Sequence, residues 1–146
     1  PHHQRWVNNK KFDGGQLNPE ELSLRDFYKR LLNFTKSSEA LMGDYREIHF
    51  YNKEITENYT HRVLSYVRWT DNQKLLIVSN FDSNDHFNFD LKLPVDLVKQ
   101  WRLTSGSYVL TDVLYGKTNS LRIEKGEGHI DIHLNPLESF IFELKS

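Results

Sequence analysis

His129, Asp131 and His133 stand two residues apart, so in an extended chain all three project from one face, where imidazole and carboxylate could grip a metal ion. Ile130, Ile132 and Leu134 take the alternate positions. An apolar inner face makes the other an ordinary solvated strand face, so no metal is assigned. Asp82, Ser83, Asn84 and Asp85 offer the oxygens calcium takes, but the run lacks the length and glycine of a dedicated calcium loop and reads as a turn. Trp69 and Trp101 offer flat rings on which a ligand ring could stack, set against core or edge packing as the commoner fate of such large side chains. Tyr59, Tyr108 and Tyr115 are weaker candidates. Asn33-Phe34-Thr35 and Asn58-Tyr59-Thr60 match the N-glycosylation acceptor pattern, which is too short to carry an assignment.

Composition narrows the classes further. Without cysteine there is no disulfide framework, no thiolate nucleophile and no thiolate-held metal. The 19 basic and 20 acidic residues nearly cancel and are interspersed, so neither a nucleic acid nor a membrane surface is expected as partner. No apolar run approaches the roughly 20 residues of a membrane helix. No cofactor is implied, and 146 residues suffice for one domain with a real core.

The elements that must position these residues change character along the chain. The first 16 residues show neither period and read as loop or tail. Asn18-Pro19-Glu20-Glu21 is a helix start: an amide to cap free N–H groups, proline in the first turn, and carboxylates at the positive end. Leu24, Phe27, Tyr28, Leu31, Leu32 and Phe34 then recur at spacings of three and four, with Arg25, Asp26, Lys29 and Arg30 on the other side. Ser37-Ser38, a short turn at 39–42 and Gly43 end this helix.

From Tyr45 the period becomes two, the mark of strands with one wet and one buried face. The clearest is 86–93, where Phe87, Phe89, Leu91 and Leu93 alternate with polar residues. Further strands are expected at 63–70, 74–81, 107–113, 121–125, 129–134 and 139–144, with one helical turn at 95–101. Asp71-Asn72, Tyr115-Gly116-Lys117, Gly126-Glu127-Gly128 and Asn135-Pro136 are the turns between them. The expected fold is mainly β: an antiparallel Greek-key β-sandwich of about eight strands, preceded by one amphipathic helix.

Two stretches carry a family resemblance. Ser23-Leu24 through Phe27-Tyr28-Lys29, Leu31 and Phe34, followed by Glu39-Ala40-Leu41 and Gly43-Asp44-Tyr45, is similar to the last barrel helix of the α-amylase superfamily of glycoside hydrolases and its exit into the next domain. Val67-Arg68 with Leu75 to Phe81 resembles that family's hairpin ending in Asn-Phe. Leu91-Lys92-Leu93-Pro94, the run 110–116 and the run 130–136 follow in the family's order.

The resemblance implies a fragment. Residues 1–20 would be a tail left from the preceding catalytic barrel, 21–43 the last barrel helix and turn, and 44–146 the C-terminal all-β domain. The family's catalytic carboxylates would lie before this chain, and none of Asp13, Asp44, Asp82 or Asp112 falls on a catalytic motif. A retaining glycosidase needs two carboxyl groups about 5 Å apart on a rigid scaffold, whereas these acids sit in turns or on solvent faces. The expected role is therefore non-catalytic support or capping of the parent's (β/α)8 barrel, in an enzyme acting on α-glucans. The alternative is a carbohydrate-binding module that contacts α-glucan through exposed aromatics, with Trp69 and Trp101 as the candidate sugar platforms. Leu24, Phe27, Tyr28 and Leu31 would face the barrel or, in its absence, the sandwich or a second copy of the chain.

Overall fold

The computed structural model describes residues 38–145 and, before them, the helical residues 19, 22, 25, 26, 29, 30, 33 and 34. The chain divides into two units, Pro1–Ser37 and Ser38–Ser146. In the first, the helical positions agree with the start expected at Asn18-Pro19, and Arg30 Nε donates to Asp26 at 3.0 Å, one turn away. Leu24, Phe27, Tyr28 and Leu31 lie outside the described residues.

The second unit opens with a 3-10 turn, Glu39–Met42, and holds eight strands. They are β1 (Asp44–Glu47), β2 (Val63–Trp69), β3 (Lys74–Asn80), β4 (Phe87–Leu93), β5 (Gly106–Asp112), β6 (Thr118–Glu124), β7 (Glu127–Leu134) and β8 (Ser139–Lys145). All pairings are antiparallel, in the order β1-β2-β3-β8-β5-β6-β7-β4. The last strand thus inserts between β3 and β5, while β4 leaves its chain neighbour β3 for the far edge.

The sheet curls until its two ends face each other across one core. Val63, Val67, Leu76, Val78, Phe140 and Phe142 come from β2, β3 and β8; Phe89, Leu91, Leu121, Ile130, Ile132 and Leu134 come from β4, β6 and β7. The alternation in the sequence is the cause, because every second side chain points inward. Between β6 and β7, Lys125 and Gly126 take φ of 52° and 81°, the left-handed pair that suits a two-residue hairpin turn.

One element departs from the sequence expectation. Residues 49–55 do not continue the strand pattern but form a helix, α1 (His49–Ile55), in which Asn52 is the buried residue. Its sequence has no apolar stripe, so local pattern could not announce it. It is held by Asn52, whose Nδ2 donates to Ile48 O and Lys92 O, both at 2.9 Å, and whose Oδ1 accepts from Lys92 N at 2.8 Å and Thr56 Oγ1 at 2.7 Å. Lys92 belongs to β4, the terminal strand of the sheet, so this amide occupies backbone groups that an edge strand would otherwise present. A second helix, α2 (Val95–Gln100), follows β4 at the expected helical turn and buries Leu97 and Val98. Its Asp96 pairs with Arg46 of β1 at 2.6 Å. The two ends of the curled sheet are therefore tied by α1 onto β4 and by α2 onto β1.

Gly43, one of the residues expected to end the helix, lies where the chain enters β1. Its φ is −92°, open to any residue. Glycine is required there for space: a Cβ would overlap the Trp69 carbonyl.

Candidate functional site

The two sugar-platform candidates pack on each other. Trp69 ends β2, Trp101 caps α2, and their rings meet edge to face at 5.9 Å and 68°. Trp101 is 6% exposed and belongs to the core, against which Trp69 is partly buried. Tyr59 is also buried. Its hydroxyl lies 2.7 Å from Ser65 Oγ and 3.1 Å from His49 Nδ1, and burial pushes its pKa up to about 12. The Tyr108 hydroxyl is held by Thr104, and Tyr115 is exposed.

On the solvent face of β7 each histidine is taken by a side chain of β4. His129 Nδ1 lies 2.9 Å from Asp90 Oδ2, and His133 Nδ1 lies 2.6 Å from Asn88 Oδ1. Asp131 stands between them opposite Asp90. Among the described residues no group of three metal-ligating side chains converges.

The buried carboxylates cap turns. Asp82 Oδ1 accepts from the N–H groups of Asn84 at 2.7 Å and Asp85 at 3.0 Å, and its other oxygen pairs with Arg62. Those backbone bonds, then Arg62, hold its pKa down at about 2. This is the turn expected at 82–85. Asp112 accepts from the N–H groups of Leu114, Tyr115 and Ile141 while fully buried, and desolvation pushes its pKa up despite them. Such carboxylates spend their lone pairs on the backbone.

Two features of the sheet remain: a second buried apolar face and an open end. The first is the outer face of β3 and β8. Leu75, Ile77 and Ile141 are buried there, although by register they point opposite to Leu76, Val78 and Phe142 of the core. β3 is thus apolar and buried on both sides, which explains its unbroken run Leu75-Leu76-Ile77-Val78. Next along the same face, Tyr45 of β1 meets Tyr66 of β2 at 5.4 Å, with the Arg68 guanidinium 5.5 Å from the Tyr45 ring. The alternating-strand reading missed this second apolar face; the four-residue apolar run was its signal.

The second surface is one end of the sandwich, where two cavities of about 270 and 290 Å³ open. β6 and β7 pair only as far as Leu121 and Ile130, yet β6 continues along β5 to Thr118 and β7 along β4 to Leu134. The opening of about 270 Å³ between them is lined by Lys117, Asp131, His133, Asn135 and Glu138, above the buried side chains of Ile132, Phe140 and Phe142. The other cavity is lined by Asn58, Thr60, His86, Phe87 and Asn88.

This curled antiparallel sheet defines an all-β domain, and the comparisons identify its family. The chain belongs to the family described as alpha amylase, C-terminal all-beta domain, whose model matches residues 55–145. No curated protein matches it. Among solved structures it is similar to a substituted AmyP in complex with maltotriose, at TM-score 0.58 and 18% identity, covering 94% of this chain and 24% of that one. An Anoxybacillus α-amylase matches at TM-score 0.55 and 18% identity, over 94% of this chain and 25% of that one. The maltogenic α-amylase AmyB of Thermotoga neapolitana matches at TM-score 0.54 and 13% identity, over 94% and 29%. At these identities the likeness is one of fold, and the chain spans about a quarter of the length of the proteins it matches.

Proposed function

We propose that the chain is the non-catalytic C-terminal part of an α-glucan-acting glycoside hydrolase, and that its β-domain supports the parent's catalytic barrel. The observation that carries this reading is the second apolar face, where Leu75, Ile77 and Ile141 lie opposite the core of a sheet that already has one. A lone sandwich needs one buried face per sheet; a sheet apolar on both faces is built to be covered twice. We assign residues 1–20 and 21–43 to the tail and last helix of that barrel, with Leu24, Phe27, Tyr28 and Leu31 turned to it or, in the isolated chain, to a second copy. The family membership and the quarter-length match support an attached domain.

The capping roles of Asp82 and Asp112 argue against turnover by this chain itself. Incubation with maltoheptaose is expected to release no reducing ends. Release that is lost on substituting one carboxylate of this chain would overturn the reading. The packing of Trp69 on Trp101, with Trp101 buried and Trp69 partly buried, disfavours them as glucan platforms.

A further inference from the structure

Arg68 lies on the outer face of the sheet without a carboxylate. By register it stands between Tyr45 of β1 and Leu75 of β3, so it projects away from the core on the same side as Ile77 and Ile141. Of its five N–H donors, one makes a hydrogen bond among the described residues, from Nη2 to Gly43 O at 3.4 Å, the far limit for such a bond. Its Nε is buried and has no acceptor. The arginines of β1 and β6 are paired by contrast: Arg46 holds Asp96 through both terminal nitrogens at 2.6 and 3.2 Å, and Arg122 holds Glu124 at 3.1 Å.

The surroundings of Arg68 supply no partner. The carboxylates that β1 and β8 carry on this side are engaged elsewhere: Glu47 accepts from Phe50 N at 3.2 Å, and Glu143 accepts from Gln73 Nε2 at 3.1 Å and lies 3.4 Å from Lys145 Nζ. A guanidinium cannot shed its charge, and a charge set among buried apolar side chains is costly until an opposite group meets it. The Tyr45 ring, 5.5 Å from the guanidinium, steadies it but gives Nε no lone pair. What the site lacks is a planar acceptor with two oxygens, and a carboxylate takes Nε and a terminal nitrogen together.

The apolar surface around Arg68 also continues past what this chain covers. Leu75, Ile77 and Ile141 are buried, whereas Tyr45 and Val109, on the same side by register, are 55% and 52% exposed. Phe81 follows Ile77 and Ser79 at the same two-residue spacing, with its N–H bonded to Arg62 O at 2.9 Å in continuation of the β2–β3 ladder, and it is 65% exposed. An apolar rim beside a partly buried cation that nothing neutralises has the composition of an interface, where arginine and aromatic side chains serve as anchors.

We propose that Arg68 is the polar anchor of the barrel contact: it receives one aspartate or glutamate carboxylate of the parent's catalytic part, within an apolar contact bordered by Tyr45, Val109 and Phe81. The occupant is chosen on length, because this chain corresponds to 24% of the AmyP chain it matches and the remainder of such a protein is large enough to cover the face. The inference rests on the barrel-supporting reading.

Scanning calorimetry of Arg68→Met tests it, in the parent enzyme and in the 146-residue chain. Methionine keeps much of the bulk and removes the charge. In the parent the expected result is a fall of a few degrees in unfolding temperature, with a smaller fall for Arg68→Lys, which keeps the charge and loses the planar fork. In the isolated chain Arg68→Met is expected to leave the unfolding temperature unchanged or to raise it, because no partner is lost there. An equal fall in both would overturn the proposal by making the guanidinium a prop of the sandwich itself. An unchanged parent would overturn it as well: if removing residues 38–146 still lowers the parent's unfolding temperature, barrel support stands without Arg68, and if that removal has no effect both readings fall. A dimer of the isolated chain that Arg68→Met dissociates would give the site to a second copy and refute the barrel carboxylate.

Discussion

Asn52→Ala is the substitution that tests how the curled sheet is closed. The amide makes four side-chain hydrogen bonds while 0% exposed, two of them to the N–H and C=O of Lys92 on the terminal strand β4. Alanine removes all four, but the loss is uneven. Ile48 O keeps its helical bond from Asn52 N, while Thr56 Oγ1 keeps the bond it accepts from Lys92 Nζ at 3.3 Å and loses the acceptor of its own proton, which the hydroxyl can turn to another oxygen. The Lys92 backbone groups lose the partner the amide gave them, at about 1–3 kcal/mol for each one left unsatisfied. Taking the middle of that range for one group and the low end for the other, because Lys92 is only half-buried, gives a destabilisation of about 3 kcal/mol. With a urea m-value of about 2 kcal/mol per molar, the unfolding midpoint moves down by about 1.5 M at unchanged m. Asn52→Asp keeps the two acceptor bonds but loses both donors and buries a charge, and is expected to cost at least as much at neutral pH. Urea unfolding followed by fluorescence gives both values. A loss below about 1 kcal/mol for Asn52→Ala would show that the seam is closed by other contacts and that the amide is incidental.

Other consequences can be checked on the same chain. Gly43→Ala is expected to cost about 1–3 kcal/mol, because the methyl meets the Trp69 carbonyl, which belongs to backbone and cannot swing aside; thermal melts measure it. Asp82, held at about 2 against an ordinary 3.8, contributes stability that is present above its ordinary value and lost as pH falls through about 2, so Asp82→Asn is expected to flatten the acid limb of stability against pH. Tyr51 and Tyr59, both pushed from 10 up to about 12 by burial first, hold their protons longer folded than unfolded. Their stabilisation is complete below pH 10 and is lost as pH rises towards 12, and Tyr59→Phe is expected to reduce that alkaline loss.

The strands were legible in the sequence wherever one face is wet. Phe87, Phe89, Leu91 and Leu93 alternate because β4 has a core side and a solvent side, and β7 repeats this with Ile130, Ile132 and Leu134. β3 was legible as a strand but not as one buried twice, since an apolar run fixes burial without naming what lies on each side. α1 was not legible at all, because Asn52 finds Lys92 forty residues away and no local pattern encodes that. The two histidine–asparagine pairs between β4 and β7 have the same character: His86 and Asn135 are 49 residues apart, His133 and Asn88 are 45 apart, and only the β4–β7 register brings them together. Tryptophan drew attention as the sugar-stacking residue type, yet Trp69 and Trp101 pack on each other.

The claim that this domain supports a catalytic barrel is tested most directly by scanning calorimetry of the parent enzyme with and without residues 38–146. The account predicts that the shortened enzyme unfolds at a lower temperature because the apolar face it normally shares is exposed. An unfolding temperature that stays the same after the deletion would contradict it.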